Sequence, residues 1–414
     1  MTARPRLVVT GLGARASIAA NVPELAVALR AGRCGFGVYP GMNSDWPGFW
    51  LPNYQPLASF TALPPKYGDL AMRAQRALRG APIASQVAAE VALEALAQAG
   101  LLTGRVDNPA LIVAGNNIHQ HYAQTHYRRF LEQPDYLNPR YAVNFVDTGV
   151  MAALSEIFGL HGPGFTVGGS AASGNVALYQ AAQLLRAGAT STCLCVGPLA
   201  DFGDLERQAL VNLGVLNDEP ACGCRPFDQQ SAGMALGHGS AALVLETLDH
   251  AQQRQVTILA ELSGIGLTLD GRQGAEPDVT GEARAMRLAL ADARLDPSAI
   301  DTLNAHGTGT PVGDAAECAA VREVFDATGD PIINASKALF GHCFFAAGLL
   351  EAAAVIVQIQ HGFLHPNPFL EQPVAADLRF AGLTAEPVTV HHALSNAFSF
   401  GGINSSVAIS RYST

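Results

Sequence analysis

The chain has 414 residues, 49% of them hydrophobic and only 14% charged, which excludes a disordered scaffold and requires a sizeable buried core. Its formal net charge is −10, with two lysines (Lys66 and Lys337) and no basic run, which argues against a nucleic-acid surface. No apolar run approaches a membrane span, the first residues lead into a strand rather than a signal peptide, and the seven cysteines suggest no disulfide framework, so a cytoplasmic setting is expected.

The first half opens with a buried strand over 6–10 and a turn at Gly11-Leu-Gly13. A helix follows over 21–31, with Asn21 as its cap and Pro23 in its first turn. An alanine-rich helix over 84–99 precedes a strand over 110–114. A strand at 165–167 runs through a glycine turn into a helix over 174–187, and strands follow at 193–196 and 239–246. The second half carries strands at 258–262, 302–304, 332–334 and 406–410, and helices over 281–293, 314–325 and 347–361. Strands and helices alternate with similar spacing on both sides of residue 250, with no Pro/Ser-rich linker. Two related halves, 1–253 and 254–414, are therefore expected to pack as one α/β body.

Two C-x-C pairs, Cys193/Cys195 and Cys222/Cys224, raise the question of zinc. The alternation of side chains along a strand is expected to point the first pair apart, so these are read as small core thiols and no metal is expected.

Four stretches carry candidate chemistry. Gly162-Pro-Gly-Phe-Thr-Val-Gly-Gly-Ser-Ala-Ala-Ser-Gly174 passes from strand through a tight turn into a helix, whose free N–H groups and dipole would activate a nucleophile there. Asn304-Ala-His-Gly-Thr-Gly-Thr-Pro-Val-Gly-Asp314 sets an imidazole on a loop of small residues and threonines. Asn334-Ala-Ser-Lys-Ala-Leu-Phe-Gly-His-Cys343 runs into the helix holding Glu351, and its small, apolar neighbours favour a buried ion pair for Lys337. Ser395-Asn-Ala-Phe-Ser-Phe-Gly-Gly-Ile-Asn404 is an aromatic and glycine turn before the last strand. Each taken singly has a plainer reading: a packing turn, a structural histidine, a surface lysine, a core hairpin.

In this order and spacing the four resemble the β-ketoacyl synthase family. That family shows a small-residue elbow carrying cysteine, then H-G-T-G-T-x-x-G-D, then K-x-x-x-G-H with a following glutamate, then G-F-G-G-x-N. Val9-Thr-Gly-Leu-Gly13 and Arg225-Pro-Phe-Asp228 extend the resemblance over nearly the whole chain. It implies a five-layered αβαβα thiolase-type fold from two related halves, each with a mixed β-sheet.

The departures are specific. Ala171 stands where the family has cysteine, His238 where a glutamate is usual, and Ile403 where threonine is common; Phe340, Phe344 and Phe345 crowd His342. The G-G-x-x-A-S-G-N elbow is most similar to stand-alone decarboxylating synthases of polyketide β-branching cassettes, which also lack the cysteine and commonly carry serine. The resemblance implies that His306 and His342 direct N–H groups at a thioester oxygen, and that Lys337 with Glu351 orients His342. It implies a second oxyanion hole at the backbone N–H groups of Ala171 and Phe400, phosphopantetheine contacts at Thr308 and Thr310, and an aromatic gate at Phe400 with Phe398. The partner implied is an acyl carrier protein, whose phosphopantetheine arm carries the substrate, with no metal, nucleotide or flavin. A homodimer is expected, with 138–144 near the partner subunit and Tyr141 contributing to the pocket. Three functions are open at this point: a malonyl-carrier decarboxylase, a condensing synthase whose Cys or Ser was changed to Ala171, and a non-catalytic chain-length-factor-like subunit.

Overall fold

The computed structural model describes residues 4–40, 45–102, 109–217, 223–325 and 329–413. Its main sheet has ten strands: β1 (Leu7–Ala16), β2 (Ala110–Ala114), β3 (Gly164–Val167), β4 (Thr192–Gly197), β5 (Gly239–Thr247), β6 (Ala260–Leu269), β7 (Thr302–Asn304), β8 (Ile332–Asn334), β9 (His392–Ser399) and β10 (Ile403–Ser410). Their order is β8-β7-β9-β10-β6-β1-β5-β4-β2-β3. Cut between β6 and β1, this becomes two five-stranded halves with one plan. In each, the first strand pairs antiparallel with the fifth and the fifth antiparallel with the fourth; the fourth lies parallel to the second, and the second to the third.

The two expected sheets are joined rather than separate. Each half leaves its first strand at an inner edge, where unpaired peptide groups need partners. The edges meet through two residue pairs, Val8 with Glu261 and Val9 with Ala260.

Five helices set the layers: α1 (Ile83–Gln98), α2 (Ser173–Arg186), α3 (Val279–Ala293), α4 (Pro311–Phe325) and α5 (Ala347–His361). α1 packs on β1 and β5, while α3 packs on β6 and β10 with α4 beside it. Between the halves, α2 and α5 pack on each other and reach strands of both, so the fold is the expected five-layered thiolase type.

Gly11 and Gly13 form no turn, contrary to the expectation, because β1 continues through them to Ala16 with a register shift after Val9. A Cβ at either would overlap the Ala95 or Val91 carbonyl of α1, so here glycine marks a close helix–strand approach. The helix Val22–Arg30 starts as expected, its cap Asn21 accepting the Glu24 N–H at 2.9 Å.

Two other expectations need correction. Strand alternation separates neighbours, not residues two apart, so Cys193 and Cys195 share one face of β4 and one core cluster. Among the described residues no group of three potential ligands converges on a metal position; Cys222 lies outside the described residues. The stretch Phe344–His361 is long and apolar enough to cross a membrane, with a mean hydropathy of 1.4. It is 89% buried, because its last fifteen residues are the central helix α5.

Candidate active site

The elbow after β3 is built from small residues because the backbone turns sharply. Ser170 sits at φ 47°, in the left-handed region, and a short 3-10 turn, Ser170–Ala172, leads into α2. This puts the methyl group of Ala171, 4% exposed, at the floor of a cavity of about 620 Å³.

The loop after β7 is pinned by two buried carboxylates of α4. Glu317 accepts the backbone N–H groups of His306 and Gly307, both at 2.8 Å, and the side-chain amide of Asn396 at 3.0 Å. Asp314 accepts the N–H groups of Gly309 and Phe227 at 3.1 and 2.6 Å, and burial pushes its carboxyl up to about 7. Glu317 is not among the residues the motifs single out, and α4 carries a further charged pair, Arg322 and Glu323, so nothing local sets it apart.

Lys337 is fully buried, as its neighbours suggest. Its ammonium donates to Glu351 Oε1 at 2.5 Å and to the His306 carbonyl at 2.6 Å, and faces His306 Nδ1 at 3.2 Å. The expected pairing with His342 is therefore corrected to His306. An ammonium has three donors and no acceptor, so His306 Nδ1 accepts and the imidazole proton resides on Nε2.

His342 reaches the same tautomer by another route, since its Nδ1 accepts the Phe344 backbone N–H at 3.1 Å. The two rings are 5.4 Å apart and nearly perpendicular. Burial first, then the Lys337 charge, holds both well below the ordinary histidine value, and for His306 the neighbouring His342 adds to this. Both imidazoles are neutral N–H donors at neutral pH.

The same cavity is lined by Thr308, Thr310, Phe398 and Phe400, with the two threonine hydroxyls 2.8 Å apart and the Phe398 ring 5.9 Å from His306. The structure thus gathers the elbow, both histidines, both threonines and the aromatic turn. Lys337 and Glu351 stand behind His306. Ser399, unremarkable in the sequence, donates its hydroxyl to the Gly169 carbonyl at 2.9 Å and ties the aromatic turn to the elbow. The backbone N–H groups of Ala171 and Phe400 have no acceptor among the described residues.

Tyr141 does not line this cavity. It stacks between Tyr122 and Phe145, at 5.9 and 5.0 Å. His238 also lies outside it, edge-on to Trp50 at 4.6 Å, where burial pushes its imidazole down to about 3.

Two family models match, Beta-ketoacyl synthase, N-terminal domain, over residues 4–251 and Beta-ketoacyl synthase, C-terminal domain, over 259–371. The polyketide biosynthesis malonyl-ACP decarboxylase PksF of Bacillus subtilis is 33% identical over 98% of this chain and 96% of its own. The 3-oxoacyl-[acyl-carrier-protein] synthase 2 of Coxiella burnetii is 30% identical over 98% of each chain. Among solved structures, the ishigamide ketosynthase/chain length factor superposes with a TM-score of 0.88 at 28% identity, over 99% of this chain and 100% of that one. A β-ketoacyl synthase from Burkholderia phymatum gives 0.85 at 28% identity with the same coverage.

Proposed function

The chain belongs to the β-ketoacyl synthase family, and from that premise we propose that it is a ketosynthase-like decarboxylase, converting malonyl-acyl carrier protein to acetyl-acyl carrier protein for polyketide β-branching. One observation carries this reading: two neutral imidazoles, each with its proton on Nε2, serve a cavity whose floor is a methyl group.

The family's condensation cycle loads an acyl group on a thiolate, and alanine cannot form that thioester. Decarboxylation needs no nucleophile. The bond from C2 to the malonyl carboxylate breaks, carbon dioxide leaves, and the electron pair moves into the thioester as an enolate. A solvent proton at C2 completes the acetyl group. His306 and His342 donate to the thioester oxygen where the charge develops, and do so without reorganising, because their tautomers are already set. The Ala171 and Phe400 N–H groups form a second pair of donors. Thr308 and Thr310 hold the phosphopantetheine arm, and Phe398 with Phe400 keeps water out. The reading needs no metal or organic cofactor, since the developing charge is met by hydrogen bonds. It places the enzyme in the cytoplasm as a homodimer serving an acyl carrier protein.

Intact-protein mass spectrometry of malonyl-carrier protein tests it. The expected outcome is enzyme-dependent loss of carbon dioxide, falling by roughly 100- to 1,000-fold in His306→Ala or His342→Ala. No loss with the unaltered chain, followed by carbon–carbon bond formation once Ala171→Cys is made, would favour a condensing synthase instead. Inactivity of both would favour a non-catalytic partner subunit.

A further inference from the structure

Beyond Ala171 the cavity ends at a block of phenylalanine. The 3-10 turn Phe344–Ala346 packs against the elbow turn Ser170–Ala172. The Phe344 ring lies 4.3 Å from His342 and nearly parallel to it, and Phe202 meets Phe344 edge-on at 4.6 Å. Phe345 stands behind, 6.3 Å from Phe202, against Gly115, where a side chain would crowd its ring. Of these three only Phe344 faces the cavity; the others extend the block into the core beside Val113 and Ile118. The opposite end opens to solvent past Gly274 and the exposed Val312.

The Phe344 ring is held from two sides, stacked on His342 and met edge-on by Phe202. The φ of 44° at Phe344 places a bulky residue in the left-handed region, and its backbone N–H is the donor that sets the His342 tautomer. An acyl chain extending past Ala171 must therefore displace a ring whose backbone positions a catalytic imidazole.

We propose that Phe344, backed by Phe202 and Phe345, is a specificity wall that confines the reacting acyl group to malonyl and acetyl size and refuses extended chains at the Ala171 end. The proposal rests on the decarboxylase reading for its substrate class. A site with no nucleophile to load has no use for a chain-length pocket, and the aromatic block fills the space such a pocket needs.

The test uses the full-length chain carrying Ala171→Cys, with acylation at position 171 followed by peptide mass mapping and the unsubstituted chain as background. The probes are the acetyl and octanoyl thioesters of pantetheine, which need no carrier protein and whose pantetheine arm, released as the free thiol on transfer, occupies the open end so that the acyl chain extends toward Phe344. With the aromatics in place the short reagent should react roughly 10- to 100-fold faster than the long one, the penalty expected for overfilling a packed site. Adding Phe344→Gly, which suits the left-handed backbone, should bring the ratio close to one, and Phe202→Ala should lower it. Equal rates in the Ala171→Cys chain, or a ratio unmoved by both further substitutions, would overturn the wall. Carbon dioxide release by the unsubstituted chain tests the decarboxylase reading separately, so the failure of one is distinguishable from the failure of the other.

Discussion

All three protons of the Lys337 ammonium are engaged: the Glu351 carboxylate, the His306 carbonyl and His306 Nδ1 each lie within 3.2 Å. A buried cation with one partner removed is costly, so this triangle stands or falls together. Burial pushes Glu351 up to about 7 even with the ammonium against it, whereas both imidazoles are held well below their ordinary value. Across neutral pH the site groups that titrate are therefore carboxylates, Glu351 behind His306 and Asp314 under its loop, both pushed up to about 7 by burial. Decarboxylation should rise between about pH 6 and 8.5 as Glu351 ionises and locks Lys337 onto His306, and Glu351→Gln should rise less steeply, keeping only the part that follows Asp314. Mass-spectrometric rates across that range decide it. A rate that falls with rising pH in both proteins would show that an imidazolium is required. In the sequence, Lys337 stands five residues from His342, which suggests that pairing; the fold instead turns its ammonium toward His306, 31 residues earlier, and a backbone N–H takes the place beside His342.

At the scale of elements, the two halves repeat a device as well as a strand order. Gly11 and Gly13 in β1 meet carbonyls of α1, and Gly264 and Gly266 in β6 meet backbone of α3 at Ala289 and Ala285. In each half the first strand lies under a long outer helix with no room for a Cβ. Gly13→Ala and Gly266→Ala should each destabilise by roughly 1–3 kcal/mol, read as a lower midpoint in chemical denaturation. Gly68→Ala, with nothing near its added methyl and at a helix start, should be neutral or slightly stabilising. Equal effects at all three positions would show that packing at β1 and β6 is looser than these contacts require.

The same glycines show where the sequence is legible. The buried strands β2, β4, β7 and β8 and the helices α2 and α5 are evident as apolar runs and alanine-rich periodicity, their ends within a residue or two. Glycine inside a strand carries the same letter as glycine in a turn, and only the helix above distinguishes them, so the apolar run predicts a β1 that is too short. The helix Gln120–Glu132 is not anticipated; none of its residues is buried, so it has no apolar stripe to announce it. At the site, side chains in a recognisable motif stand out, whereas Ser399 and Glu317 act through distant backbone that no local pattern reveals.

At the scale of the molecule, the ten-stranded sheet ends on β3, where Gly164 and Phe165 are exposed and Phe165 retains 39% of its surface. An exposed strand edge with an aromatic on it invites pairing with another chain. The helix Thr148–Phe158 packs on β3, and the short segment before it carries Val143 and Phe145, 62% and 45% exposed. Apolar surface gathered beside a free edge is the mark of an interface rather than of a solvated face. A second copy is expected to meet this edge with its own, since a two-fold axis would bring identical antiparallel strands together. Light scattering on the eluting protein should therefore give twice the 43.2 kDa chain mass, and Phe165→Glu should shift it toward the monomer. Because β3 leads directly into the elbow, the monomer should also lose decarboxylation while keeping its thermal unfolding transition. A monomeric unaltered chain at full activity would show that β3 is capped by its own surroundings and that the site is complete in one copy.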